Sequence, residues 1–141
     1  MRIGRGLAAV AVAAAAVPAL AGALDAYRWE NRLLIAFAPS DAVMAAQTAE
    51  IAIDPTGFED HDLVLIRVVD DHAASDRGDR FDAAALRRRF GVARAEQVAL
   101  LVGKDGGEKL RVADRPMTLN TLFAAIDVMP MRRREMLERR N

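Results

Sequence analysis

Apolar residues in this chain fall either in unbroken runs or at helical spacing, and the two patterns divide it into elements. The first run, Leu7 to Val17, follows Arg2 and Arg5 and is closed by Pro18 and small residues. A basic start, an apolar middle and small-x-small sites at Ala19-Leu20-Ala21 and Ala21-Gly22-Ala23 predict a secretory leader over residues 1–23. Cleavage is expected after Ala21 or Ala23. The uncharged stretch Leu7 to Leu24 approaches the roughly 20 residues of a spanning helix. It is mostly alanine, however, and Pro18 sits near its outer end. Membrane contact is therefore expected only if the leader stays uncleaved. One domain is expected over residues 24–130, followed by a basic tail over 131–141.

Leu33 to Ala38 is a continuous apolar run after Arg32, ended by Pro39. Runs of this length without alternation mark strands covered on both faces, as in parallel sheets. Ser40 or Asp41 can cap a helix from Asp41 to about Ile53, with Val43, Met44, Gln47 and Ile51 on one face. Asp54-Pro55-Thr56-Gly57 predicts a turn. Leu63 to Val69 is a second buried strand, completing a right-handed βαβ unit. Asp70 to Arg80 reads as a polar loop, with acids at Asp70, Asp71, Asp76, Asp79 and the flanking Asp82. Asp82 predicts a helix start, stapled by Phe81 and Leu86, and Gly91 predicts its left-handed stop after Phe90. Val98 to Val102, a turn at Lys104-Asp105-Gly106-Gly107, and Glu108 to Val112 form a hairpin. Thr118 caps the last core helix, whose Leu119, Leu122, Phe123 and Ile126 share a face and which ends at Met129-Pro130. The order β-α-β-α-β-β-α predicts a thioredoxin-like three-layer α/β/α fold with a mixed central sheet.

Charge and composition narrow the chemistry. Removing residues 1–23 takes two arginines and leaves 18 basic against 20 acidic residues, a net charge of −2. That balance argues against nucleic acid as a partner. The chain has no cysteine, which excludes disulfides, thiol redox chemistry and thiolate metal sites.

Four blocks suggest a family. Trp29-Glu30-Asn31-Arg32-Leu33-Leu34-Ile35-Ala36-Phe37-Ala38-Pro39-Ser40 resembles the opening of a domain family of unknown function with a peroxiredoxin-like fold. Asp62 to Ile66, Gly103 to Leu110 and Ile126 to Met136 resemble its later blocks, and the last two are the most specific. The resemblance implies an exported thioredoxin-like domain, a type also found in secreted animal proteins beside sushi modules. It carries no established reaction. Where redox thioredoxins place Cys-x-x-Cys, this chain has Ser40-Asp41-Ala42-Val43, and Glu96-Gln97 replaces the proline before the third strand.

Ligands of open α/β sheets gather beyond the C-terminal ends of the parallel strands. Ser40, Asp41, Asp70, Asp71 and His72 are the candidate ligand residues there, with helix capping and solvated loop as the plainer account. His61 and His72 flank the second strand, about 25–35 Å apart at 3.3 Å per residue, too far to share an ion. The EF-hand spacing is missing from the acidic loop. No metal or cofactor is expected. A Ser40–His72–Asp71 hydrolase lacks the Gly-x-Ser-x-Gly turn, and the glycine-rich Gly103–Gly107 segment lacks phosphate-loop spacing. Arg87-Arg88-Arg89 suits a solvated helix end. In the tail, Arg132, Arg133 and Arg134 are candidates for a protein or anionic surface partner, while Glu135–Arg139 and Arg134–Glu138 have the spacing of ordinary helix pairs. The expected role is an exported, periplasmic or secreted, non-enzymatic binding domain. The second reading is a small-ligand or cation site in the Asp70–Asp82 loop and Ser40 turn.

Overall fold

A computed structural model of the chain describes residues 24–140. The leader expected over residues 1–23 lies outside the described residues. Strands β1 (Arg32–Ala38), β2 (Leu63–Val69), β3 (His72–Ser75), β4 (Arg80–Phe81), β5 (Val98–Val102) and β6 (Glu108–Ala113) form one mixed sheet in the order β4-β3-β2-β1-β5-β6. Helices α1 (Asp41–Ile51), α2 (Pro55–Asp60), α3 (Ala83–Phe90), α4 (Leu119–Asp127) and α5 (Pro130–Arg140) complete the fold.

β1 lies at the centre, parallel to β2 and antiparallel to β5. Its run is apolar throughout because both faces are covered. Leu33, Ile35 and Phe37 pack with Leu86 of α3 on one side, while Leu34, Ala36 and Ala38 pack with Met44, Phe58 and Leu122 of α1, α2 and α4 on the other. These are the three layers expected, and the arrangement agrees with a thioredoxin-like α/β fold. The caps also fall where the sequence puts them: the side chains of Ser40, Asp82 and Thr118 accept from Val43, Ala85 and Thr121 N–H, and Gly91 is left-handed at φ 66°.

The structure adds elements to the expected series. The turn at Asp54–Gly57 is the start of α2: Asp54 accepts from Gly57 N–H and Pro55 takes the first helical turn, where its missing donor costs nothing. For the same reason α1 stops at Ile51 rather than Ile53. The polar loop over Asp70–Arg80 is instead the β3–β4 hairpin on the sheet edge. Asp70 reverses the chain at φ 51°, Ala73 and Ser75 turn inward, and Ser75 Oγ accepts from Arg77 and Asp79 N–H. The acids read as loop markers sit on the outward side and at the turns. Pro130 ends α4 as expected but also opens α5, so the basic tail is a helix.

Candidate functional site

At the C-terminal ends of β1 and β2, Ser40, Asp70 and Asp71 are engaged by the chain's own groups, while Asp41 and His72 stand exposed. Ser40 accepts from Val43 N–H at 3.3 Å, and Asp41 is the exposed first residue of α1. Asp70, Asp71 and His72 form the exposed β2–β3 reversal. Arg94 bonds Asp71 at 2.8 Å and approaches Asp70 at 3.6 Å. The Arg94 hydrogen bond, then its charge, holds the Asp71 carboxyl below the usual range. Arg87 donates to the Asp70 carbonyl at 2.6 Å. Among the described residues no hydrogen bond or ion pair links the Ser40 turn to the Asp70–His72 turn. The depression beside Phe37, Val43 and Gln97 holds about 10 Å³, room for about one water and nothing larger. Among the described residues no group of three or more acidic or histidine side chains could hold a metal ion.

The opposite end of the sheet is different in kind. Arg32 opens β1 and is 1% exposed. Its guanidinium grips Glu135 of α5 with both terminal nitrogens, at 3.2 and 3.1 Å, and donates to the His61 carbonyl at 3.1 Å. Because β5 runs antiparallel to β1, its exit brings buried Lys104 to the same point. Lys104 Nζ donates to Glu135 at 2.8 Å and to Asp62 at 2.9 Å. Glu135 therefore receives hydrogen bonds from two buried cations. Burial pushes its carboxyl up, but the bonds from Arg32 and Lys104 outweigh that and hold it below the usual range. Arg32 Nε is buried without a partner.

A second clasp lies one helical turn away on α5. Arg132, buried, donates to Asp127 at 3.1 Å, to Asp60 Oδ2 at 3.0 Å and to the Asp60 carbonyl at 3.1 Å. The Arg132 hydrogen bond is the main cause that holds Asp60 below the usual carboxylate range. Arg139 adds a further bond to Asp60. Buried His61 is stacked on Phe123 at 4.0 Å and 1°, with Nδ1 2.7 Å from the Gly57 carbonyl and Nε2 2.8 Å from Asp127.

These contacts change the account of the tail. Arg132, expected to meet a partner, is consumed within the domain, because a buried guanidinium needs fixed acceptors. Arg133 and Arg134 are exposed. The expected Glu135–Arg139 pair is absent, since Glu135 turns inward to Arg32 and Lys104 and Arg139 reaches Asp60. A bidentate, water-shielded pair outcompetes an exposed one. Sequence reasoning missed Arg32, Lys104 and Glu135 as a site, although a signal was present. Arg32, Asp62, Lys104, Asp127, Arg132 and Glu135 come from the four blocks that carry the family resemblance, and those blocks converge here.

Trp29 marks the same end. It is 60% exposed and left-handed at φ 68°, and its N–H donates to the Lys104 carbonyl at 2.7 Å. Met131, Arg134, Glu135 and Glu138 line an open depression of about 190 Å³ beside the clasp. Chemically the end offers charge-assisted recognition of carboxylates and guanidinium groups.

The chain matches the family model described as Domain of unknown function (DUF4174) over residues 23–135, and it belongs to that family. The matched region extends past Pro130 to Glu135, so it holds every member of the network described above except Arg139. A comparison with curated proteins finds no match. Among the described residues no helix is long and apolar enough to cross a membrane.

Proposed function

We propose that this family member is an exported binding module without thiol redox activity, and that it engages a protein partner at the α5 end of its sheet. The observation behind this reading is Trp29, exposed at the end where α5 turns Arg133 and Arg134 to solvent. Tryptophan and arginine are the side chains that most often dominate interface energetics. A bulky residue at positive φ is rare, and such strain gathers at functional positions. The lack of cysteine supports the absence of thiol chemistry. Export to the periplasm or medium rests on the leader pattern in residues 1–23.

The test is capture of partners from periplasmic extract by three forms of the full chain. One is wild type, one carries Trp29→Ala, Arg133→Glu and Arg134→Glu, and one carries Asp71→Asn and His72→Ala. A protein retained by wild type and the third form but lost by the second is the expected result. Loss only in the third form, or no protein retained by wild type, rejects the reading.

A further inference from the structure

No residue of α5 belongs to either apolar core cluster, and its one buried side chain is an arginine. What fixes the helix to the body is Arg132 on Asp60 and Asp127, Arg139 on Asp60, and Glu135 on Arg32 and Lys104. The receiving side of the last contact is a formed site. Arg32 presents two parallel donors to one carboxylate, the arrangement that recognises carboxylates generally. Lys104 adds a third donor on the same oxygen as one of them. Both cations are set by strands rather than by α5: Arg32 within β1, Lys104 just beyond β5. Only the carboxylate belongs to the removable element.

We propose that Arg32 and Lys104 form a carboxylate-binding site that α5 fills in cis through Glu135, and that an acidic segment of the partner displaces it. This deepens the binding-module reading by naming the partner's chemistry. Removing Glu135 leaves Arg32 without its counter-charge, with Nε already unpartnered. An unpaired buried cation is costly, so the site has a strong demand for a replacement anion. Exposed Arg133, Arg134 and Arg140 attract an acidic segment to α5 before exchange. The latch is electrostatic but shielded from water, so bulk salt screens it little and a competing carboxylate is what exchanges with it.

The experiment uses the full chain, with hexaglutamate peptide and succinate as probes and hexalysine as control. Hydrogen exchange reads α5 and α4 separately. In wild type, saturating hexaglutamate is expected to strip protection from α5 while α4 keeps its own. Salt at about 1 M, where the screening length is about 3 Å, is expected to weaken the peptide's approach to exposed Arg133, Arg134 and Arg140 without itself stripping α5. Glu135→Gln removes the cis carboxylate and is expected to bind hexaglutamate at least about tenfold more tightly than wild type. Arg139→Ala loosens the outer clasp at a half-exposed position and shifts affinity in the same direction, which keeps the test decisive if Glu135→Gln does not fold. Tightening with succinate as well supports the site with a small dicarboxylate as a sufficient ligand, and tightening with hexaglutamate alone assigns it to an acidic peptide. The proposal is overturned if α5 protection ignores the peptide, or if the folded variants bind hexaglutamate no better than wild type. Such a failure leaves the partner-capture result unaffected, so the two readings fail separately.

Discussion

α4 and α5 follow one another with only Val128 and Met129 between them, yet they are held by opposite means. α4 puts Leu119, Leu122 and Ile126 into the core, and the last two are fully buried. α5 puts in Arg132 alone and otherwise meets the body through Glu135 and Arg139. Apolar burial contributes about 1.5–3 kcal/mol per large side chain and does not depend on the protonation of any group. Buried ion pairs recover little beyond their desolvation cost, and they respond to pH. Two adjoining helices of similar length can therefore differ in how tightly they are bound and in what loosens them. α4 belongs to the frame, and α5 is conditional on charge.

Breaking α4 gives the largest effect. Leu122→Ala, at a fully buried position, should cost about 2–5 kcal/mol of global stability in denaturant unfolding. Acid should act next, and on α5 first. Glu135 and Asp60 both titrate below their ordinary values in the folded state, for the ion-pairing reasons given above. A carboxylate whose folded pKa is depressed stabilises above its unfolded pKa and loses that contribution as pH falls through the folded one. The docking of α5 should thus hold above about pH 4.5 and fade progressively below it, while α4 stays protected longer in hydrogen exchange. Glu135→Gln removes one charge from the same contact at neutral pH. Its cost should be about 1–3 kcal/mol and confined to α5 amides; equal losses in α4 would merge the two helices into one cooperative unit. At the far end of the sheet, Ser40→Ala should cost about 1 kcal/mol as a lost cap. His72→Ala should stay within about 0.5 kcal/mol. A larger loss there would show that the edge is more than caps and solvated turns.

What could be read from the sequence follows the range of each interaction. β2 and β5 have the limits their apolar runs imply, β1 adds Arg32 to the front of its run, and the caps at Ser40, Asp82 and Thr118 are local events within four residues. α4 was legible because its inward face repeats at helical spacing. The β3–β4 hairpin was not, since its acids outnumber its inward Ala73 and Ser75, which are too small to mark a strand. The charge network was hidden for another reason: Glu135 and Arg32 are 103 residues apart, and Arg132 and Asp60 are 72 apart. Local spacing offered Glu135 a nearer partner in Arg139, and only the fold shows which cation wins. The family blocks held the right residues without saying that they meet.

Trp29 is the chain's single tryptophan, and it stands mostly in water. Native emission should therefore already lie near that of a hydrated indole, and unfolding should move it little. Fluorescence melts of this protein would understate the loss of the core, which circular dichroism would follow. The same indole becomes a selective optical reporter: quenching by acrylamide reads the α5 end of the sheet and whatever comes to cover it.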